Sequence, residues 1–518
     1  MASFKLSARP ALTALLLSAA PLCALGAAPA LAQDKGPAKA PAEASGKIPA
    51  RPEQLEFAPL EFELPERDAY RHVLSNGTVV YLAPSHDLPL VDVTFLFKGG
   101  RYLDPVGKEG LASATASLMR RGGAGDHDAK AFDERVDFLA AQMGVGSGDY
   151  QISASLNTLT RNLDESFPLF LDMLRRPGFQ EDKVALYKSE VLEALKQRND
   201  DADSIIDREW TALVYGSDHF KGRLTTQQSL EAIDVPAMQA YREAVLQPKN
   251  LVIGVTGDFQ PDAMLARLEK AVAGWEAGEQ SIDPPAPGAT LRPGVYRVEK
   301  DIPQGKVILG MRGIQRDDPD FFALSIMSRI LGSGGFTSRI TNRVRSEEGL
   351  AYSAGAYVVP GLYFPGEFRA FFQSKSRTVA LATKIIFEEI ERIRSEPVST
   401  EELATAKSSI IESFPTNFGS KQQIVGTFMS DELTGRGPEY WASYRDEIQA
   451  VTAEDVLRVA KKHLVPEQMA ILVVGEWGDI REGDLNGRAT MAEFFEGQVQ
   501  QLPLRDPLTL EPLPLEGE

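Results

Sequence analysis

The sequence predicts an α+β protein made of two tandem homologous domains, each a mainly antiparallel sheet flanked by helices. At 518 residues the chain is too long for one compact core. Segments with strand-like and helix-like periodicity alternate in both halves, and the same order of segments occurs twice. The composition, 43% hydrophobic and 25% charged residues, is that of an ordinary globular protein.

The first half opens with a hairpin and continues with a strand and helices. Asn76-Gly77 lies between β-rich flanks and predicts a hairpin turn. Residues 91–97 alternate as a strand, and residues 109–121 carry apolar side chains at helical spacing. A further helix with one apolar face is predicted over residues 181–196.

The repeat is clearest where a helix leads through a proline into an apolar strand that ends in glycine. In the first half the proline is Pro248 and the glycine Gly257; in the second half they are Pro466 and Gly475. Both pairs are separated by 218 positions. A constant offset of this kind indicates duplication of one domain.

Segments without periodicity separate the parts of the chain. Residues 33–65 are rich in Pro, Ala and Lys, and residues 283–288 read Asp-Pro-Pro-Ala-Pro-Gly. The predicted division is a signal peptide at 1–32, a flexible linker at 33–65, an N-terminal domain at 66–276, a second linker at 277–293, a C-terminal domain at 294–500 and a tail at 501–518.

The N-terminus has the pattern of a cleavable export signal. Lys5 and Arg9 precede an apolar run over residues 11–25, and Ala30-Leu31-Ala32 has the form of a signal-peptidase site. The single cysteine, Cys23, lies inside this segment, so a lipid anchor there is the less favoured alternative. No other apolar run is long enough to span a bilayer, and we expect a soluble periplasmic protein. The net charge of −18 argues against nucleic acid as a partner.

Several local patterns, taken in order, resemble the M16 peptidase family of insulin-degrading enzyme, pitrilysin and the mitochondrial processing peptidase. The resemblance implies that family's two-domain fold, related to LuxS-like metallohydrolases, over about residues 70–500. It is carried by Leu74-Ser75-Asn76-Gly77, by Phe97-Lys98-Gly99-Gly100-Arg101 followed by Gly110-Leu111-Ala112, by the glycine-rich stretch Ile330 to Ile340, and by Arg345-Ser346-Glu347-Glu348-Gly349-Leu350-Ala351-Tyr352.

The zinc helix of that family carries His-x-x-Glu-His, with the histidines one helical turn apart and the Glu as general base. The matching positions here are Ser113, Ala116 and Ser117. Serine is a poor zinc ligand and alanine cannot accept a proton, so no catalytic residue and no metal are predicted in this chain. The distal ligand position falls near Tyr187, with Glu190 as the alternative.

A replacement metal site has no support in the sequence. The histidines are scattered without a close pair, although folding could still bring two of them together. They are His72, His86, His127, His219 and His463.

The residues with which the family holds its substrate are present. Arg345 and Tyr352 have the family's spacing of seven residues, and Gly332, Gly334 and Gly335 match its glycine-rich loop. An arginine and a tyrosine can both donate hydrogen bonds to a peptide carbonyl. The alternative is structural: a cation near a helix C-terminus offsets the dipole, and a strand tyrosine is commonly packing.

The resemblance therefore implies a non-catalytic, substrate-binding subunit that pairs with a zinc-bearing M16 homologue and acts on peptides in the periplasm. Zinc would be held by the partner. Two alternatives stay open: a peptide-binding or structural M16-like protein without a proteolytic role, and an M16 peptidase with an unrecognised metal site.

Overall fold

A computed structural model describes residues 51, 62–275 and 278–515. The predicted signal peptide at 1–32, with Cys23, lies outside the described residues, as does most of the linker at 33–65. Within the described part, no helix combines the length and apolarity needed to cross a bilayer.

The described residues form two six-stranded sheets with helices packed on them. The strands are β1 (Arg71–Val73), β2 (Val79–Pro84), β3 (Leu90–Lys98), β4 (Gln142–Ser147), β5 (Gln151–Leu159), β6 (Leu251–Gly257), β7 (Gly294–Glu299), β8 (Gln304–Arg312), β9 (Ala351–Val359), β10 (Glu367–Lys375), β11 (Ala470–Gly475) and β12 (Val499–Leu502). The helices are α1 (Leu111–Arg121), α2 (Ala129–Phe138), α3 (Leu163–Arg175), α4 (Glu181–Lys196), α5 (Ala202–Tyr215), α6 (Gln227–Glu231), α7 (Val235–Val245), α8 (Pro261–Val272), α9 (Phe321–Ser328), α10 (Arg339–Thr341), α11 (Val379–Ser395), α12 (Thr400–Ser413), α13 (Lys421–Thr434), α14 (Glu439–Ala450), α15 (Ala453–His463) and α16 (Trp477–Glu482).

Five of the six strands in each sheet share one topology, and the two mixed sheets flanked by helices confirm the predicted fold class. The first has the order β1-β2-β6-β3-β5-β4 and the second β12-β7-β11-β8-β10-β9. One parallel pair occupies the same position in both sheets: β2 with β6 in the first and β7 with β11 in the second. Beyond this pair, both sheets continue with three antiparallel pairs in the same order. Gly257 and Gly475 are the last residues of the equivalent strands β6 and β11.

The sheets differ at the outer edge. In the first, the Asn76-Gly77 turn closes the predicted hairpin, with Gly77 at φ +87° and β1 antiparallel to β2. In the second, β12 runs parallel to β7 and includes residues 501–502 of the predicted tail. The chain beyond β12 then returns to the first half, where the Nδ2 of Asn199 donates to the carbonyl of Arg505 at 2.8 Å.

Each half contributes a helix to the sheet of the other half. The helix α5 packs on β8 and β11, and α13 packs on β6 and β2. Trp210 of α5 is 1% exposed inside the core of the second half. Phe428 of α13 is buried in a cluster with Tyr81 of the first sheet. Periodicity predicts that such helices have a buried face, but it does not tell against which sheet that face packs.

The linker after the first half is ordered against that half. The Tyr102 hydroxyl donates to the carbonyl of Ile282 at 2.8 Å, and Lys98 Nζ lies 2.5 Å from a carboxylate oxygen of Asp283. His219 Nε2 lies 2.9 Å from the carbonyl oxygen of Pro285, and burial lowers the pKa of this imidazole. Such contacts fix the path of residues 278–285.

Candidate functional site

The helix α1 occupies the position at which the M16 peptidases carry their zinc ligands. It follows β3 through a short loop. It begins at Leu111, two residues later than predicted, because Gly110 has φ +101°. Asp104 in the loop caps it: its carboxylate accepts hydrogen bonds from the backbone N–H groups of Gly110 at 2.9 Å and Ala112 at 2.8 Å. An acidic group is favoured at a helix N-terminus.

A cavity of about 270 Å³ lies between α1 and α4. Ser113 and Tyr187 both line it, so the proximal position on α1 and the candidate distal position on α4 do converge. Ala116 is 3% exposed within the packed face of α1, and Ser117 is half-buried. The polar residues of the wall are Arg101, Asp104, Glu109, Arg198, Arg223 and Thr225.

The residues of this cavity do not fit a zinc ion. No histidine lines it among the described residues, and the hydroxyls of Ser113 and Tyr187 are weak zinc ligands. Ala116 offers no base for a metal-bound water. The arginines in the wall would also repel a divalent cation.

The alternative distal ligand, Glu190, is engaged elsewhere. Its carboxylate accepts two hydrogen bonds of 2.8 Å from the guanidinium of Arg121, the last residue of α1. This pairing lowers the pKa of Glu190. Of the two candidates for the distal position, Tyr187 is therefore the one that lines the cavity.

Asp104, in the wall of the cavity, makes the stability of the folded protein depend on pH. Burial raises the pKa of this carboxyl to about 6, against the opposing effect of the Gly110 and Ala112 hydrogen bonds. In the unfolded chain the group loses its proton near pH 4. Between about pH 4 and 6 the folded state thus binds more protons, and the free energy of unfolding falls as the pH rises.

We expect this loss to reach about 3 kcal/mol at most by pH 7. Urea unfolding of the wild type and of Asp104→Asn at a series of pH values measures it, because the amide does not titrate. The stability of the wild type relative to the variant should decrease between pH 4 and 7. Asp218→Asn, which removes an exposed carboxyl, is the control. A constant difference would contradict the assignment.

Among the described residues, one group of side chains has its oxygen and nitrogen atoms close enough together to hold a metal ion. It consists of Asp318, Asp320 and His463. Asp320 is 5% exposed and already has three hydrogen-bond partners: Arg458 at 2.6 Å, Lys462 at 2.7 Å and the His463 ring at 2.7 Å. Burial would raise its pKa, but these hydrogen bonds lower it instead. A carboxylate neutralised by two fixed cations is a structural ion pair, and it does not favour a metal.

Arg345 and Tyr352 meet on the surface of the second half. The guanidinium carbon of Arg345 lies 4.2 Å from the ring centre of Tyr352 and 4.5 Å from that of Phe336. Tyr352 is 82% exposed and Phe336 is 64% exposed. The side chain of Tyr352 is therefore not packed in the core, so the structural alternative for the tyrosine does not hold. We call these three residues the Arg345 stack.

The local backbone explains how the Arg345 stack forms. Arg345 lies in a π-helical turn over Asn342–Glu347, which continues α10. Gly349, at φ +62°, ends the helical segment. The chain then enters β9, whose second residue is Tyr352.

The glycine-rich stretch has a packing role that its composition does not reveal. Gly332 is buried, and a Cβ there would lie 2.1 Å from the backbone nitrogen of Ala356 in β9. Gly335 has φ +63° with open space around it, and Gly334 lies between them. Close approach at Gly332 and positive φ at Gly335 place Phe336 over Arg345.

Phe336 is the member of the Arg345 stack that the sequence analysis missed. It lies nine residues before Arg345, a spacing with no meaning for one helix or strand. The only signal was a large apolar residue within a glycine-rich turn, where small polar residues are usual.

Comparison with known proteins supports the same family. Residues 232–410 match the model of the peptidase M16 inactive domain. A non-peptidase homolog, YmxG, of Helicobacter pylori is 23% identical over 75% of this chain and 90% of its own length. A protein of Rickettsia bellii named as an uncharacterized zinc protease is 22% identical over 75% of this chain and 93% of its own length.

Solved structures show the same fold. The crystal structure of a peptidase M16 inactive domain from Pseudomonas fluorescens has a TM-score of 0.70 and 23% identity, covering 78% of this chain and 97% of that one. The periplasmic protease PqqL from Escherichia coli has a TM-score of 0.66 and 16% identity, covering 78% of this chain and 45% of that one.

Proposed function

We propose that the chain, which belongs to the M16 peptidase family, is the non-catalytic, substrate-binding subunit of a heterodimeric zinc metallopeptidase acting on peptides in the periplasm. A zinc-bearing M16 homologue supplies the His-x-x-Glu-His helix. This chain supplies the Arg345 stack, which holds the peptide backbone in the shared chamber.

The observation that carries the proposal is the contrast between the two candidate sites. On α1 the groups needed for hydrolysis are replaced by Ser113, Ala116 and Ser117. On the second half, Tyr352 and Phe336 stay exposed, and Arg345 lies against both rings. A protein that had lost contact with substrate would have no functional reason to keep such side chains in solvent.

Two further findings support parts of the proposal. The export pattern of residues 1–32 favours the periplasm, and a structural neighbour from Escherichia coli is a periplasmic protease. That neighbour is about twice the length that this chain covers. Two chains of this size would together approach the length of that protein.

Co-expression with a zinc-bearing M16 homologue of the same organism tests the assembly. We expect a 1:1 complex by size-exclusion chromatography with light scattering. Self-association of this chain alone, with no complex formed, would instead favour the structural or peptide-binding alternative. Zinc bound stoichiometrically to the isolated chain would favour the alternative of a peptidase with its own metal site.

Phe336→Ala is expected to weaken peptide binding by about threefold to fivefold, since an exposed cation–π contact contributes about 0.5–1 kcal/mol. The ring touches Arg345 and positions its guanidinium. Phe336→Tyr keeps the ring and should restore the affinity. Phe138→Ala, which removes a ring 77% exposed on α2, is the control. Fluorescence anisotropy with a labelled peptide measures the dissociation constants, and equal affinity for wild type and Phe336→Ala would exclude the positioning role.

A further inference from the structure

The cavity between α1 and α4 has lost the residues for a cation and has gained donors for an anion. The family's metal ligands donate lone pairs to zinc. Here Ser113 and Tyr187 present hydroxyl groups in the same cavity, and Arg198 lies in its wall. A hydroxyl and a guanidinium donate hydrogen bonds to a negative oxygen.

Arg198 has no anionic partner among the described residues. Its Nη2 donates to the carbonyl of Thr225 at 2.7 Å and its Nη1 to the carbonyl of Pro507 at 3.2 Å. No carboxylate of residues 62–275 or 278–515 lies within ion-pair distance of it. Burial, with the charge of Arg208 nearby, lowers its pKa to about 10. A partly buried cation that meets only backbone carbonyls has no counter-charge nearby.

The carboxylates in the wall are already occupied. Asp104 accepts from two backbone N–H groups of α1. Glu109 lies 3.5 Å from Arg223 and accepts from the backbone N–H of Gly107 at 3.0 Å. They therefore do not neutralise Arg198, and three arginines face two carboxylates in the wall.

The hydroxyls of Ser113 and Tyr187 are also available. Neither takes part in a hydrogen bond within the described part of the chain, and the Tyr187 ring is held in place against the core of the first half. The cavity volume of about 270 Å³ lies just below the range of about 300–1,000 Å³ that is usual for drug-sized ligands. It would accommodate a small acid or the last residue of a peptide.

We propose that this cavity is a carboxylate-binding site in which Arg198 pairs with the anion and the hydroxyls of Ser113 and Tyr187 donate to it. A planar guanidinium matches the two oxygens of a carboxylate. The ligand is either a free small acid or the C-terminal carboxylate of a peptide. The proposal does not depend on a partner subunit, so it can fail while the proposed function stands.

Isothermal titration calorimetry on the full chain tests it with three probes: succinate, the tripeptide Ala-Ala-Leu, and the same tripeptide with a C-terminal amide. Binding of succinate assigns the site to small acids, and binding of the tripeptide acid but not its amide assigns it to peptide ends. Either result supports the site. Absence of binding by both acids overturns it.

Variants locate the binding. Arg198→Met should lower the affinity at least tenfold, and Tyr187→Phe, which removes only the hydroxyl, by about threefold to tenfold. Tyr187→Phe keeps the test valid if Arg198→Met loosens the C-terminal segment. Arg481→Met, at an exposed arginine of α16, is the matched control. Equal affinity in wild type, Arg198→Met and Tyr187→Phe would show that the acids bind elsewhere.

Discussion

Arg345→Ala in this chain is expected to lower the kcat/KM of the complex with its zinc-bearing partner by about 100-fold. Loss of one preorganised donor to a developing oxyanion costs about 10²–10³ in rate. The guanidinium of Arg345 lies against two aromatic rings, so it needs little reorganisation to donate. A fluorogenic peptide assay on the purified complex measures the effect.

Two further variants and one control show which property of Arg345 and Tyr352 the activity requires. Arg345→Lys keeps the charge but loses the planar fork, and we expect only partial activity. Tyr352→Phe keeps the stack and removes the hydroxyl. Arg481→Ala removes an exposed arginine far along the chain and should leave the rate unchanged. Full activity of an assembled Arg345→Ala complex would rule out a role of Arg345 in substrate binding.

Trp210→Ala is expected to destabilise the protein by about 3–5 kcal/mol, the cost of emptying a large core position. Trp210 is 1% exposed and packs on the second sheet although it belongs to the first half. Its Nε1 donates to the Glu367 carboxylate at 2.6 Å. The variant therefore leaves a cavity between the halves and a buried carboxylate without its donor. Guanidinium unfolding followed by circular dichroism measures the change.

Trp210→Phe separates the two effects, because it keeps most of the ring and loses the hydrogen bond to Glu367. A cost of about 1–3 kcal/mol is expected for the orphaned acceptor. Leu485→Ala, at a side chain 73% exposed, is the control and should change stability by less than about 0.5 kcal/mol. A Trp210→Ala variant as stable as the wild type would mean that α5 does not hold the halves together.

The sequence was sufficient for features that depend on local pattern or on one repeated spacing. The hairpin at Asn76-Gly77, the strand that ends at Gly257 and the helix over 181–196 all follow from periodicity and turn chemistry. The constant offset of 218 residues between the prolines and between the glycines of the two halves indicated a duplicated domain. The strand order common to the two sheets agrees with that prediction. The loss of metal ligands at Ser113 and Ser117 needed only the spacing within one helix.

The features that the sequence could not supply depend on contacts between distant segments. Nothing in the pattern of α5 or α13 shows that these helices exchange sheets. Arg198 joins Ser113 in one cavity only because α1 and α4 pack together. Phe336 reaches Arg345 through a tight glycine turn, and β12 extends into residues predicted as a tail.

The most direct test is peptide cleavage by this chain, by its zinc-bearing homologue and by the two together, each with and without a zinc chelator. We expect zinc-dependent cleavage by the mixture that neither protein shows alone, with the metal bound only to the homologue. Zinc-dependent cleavage by this chain alone, or a mixture no more active than the homologue, would contradict it.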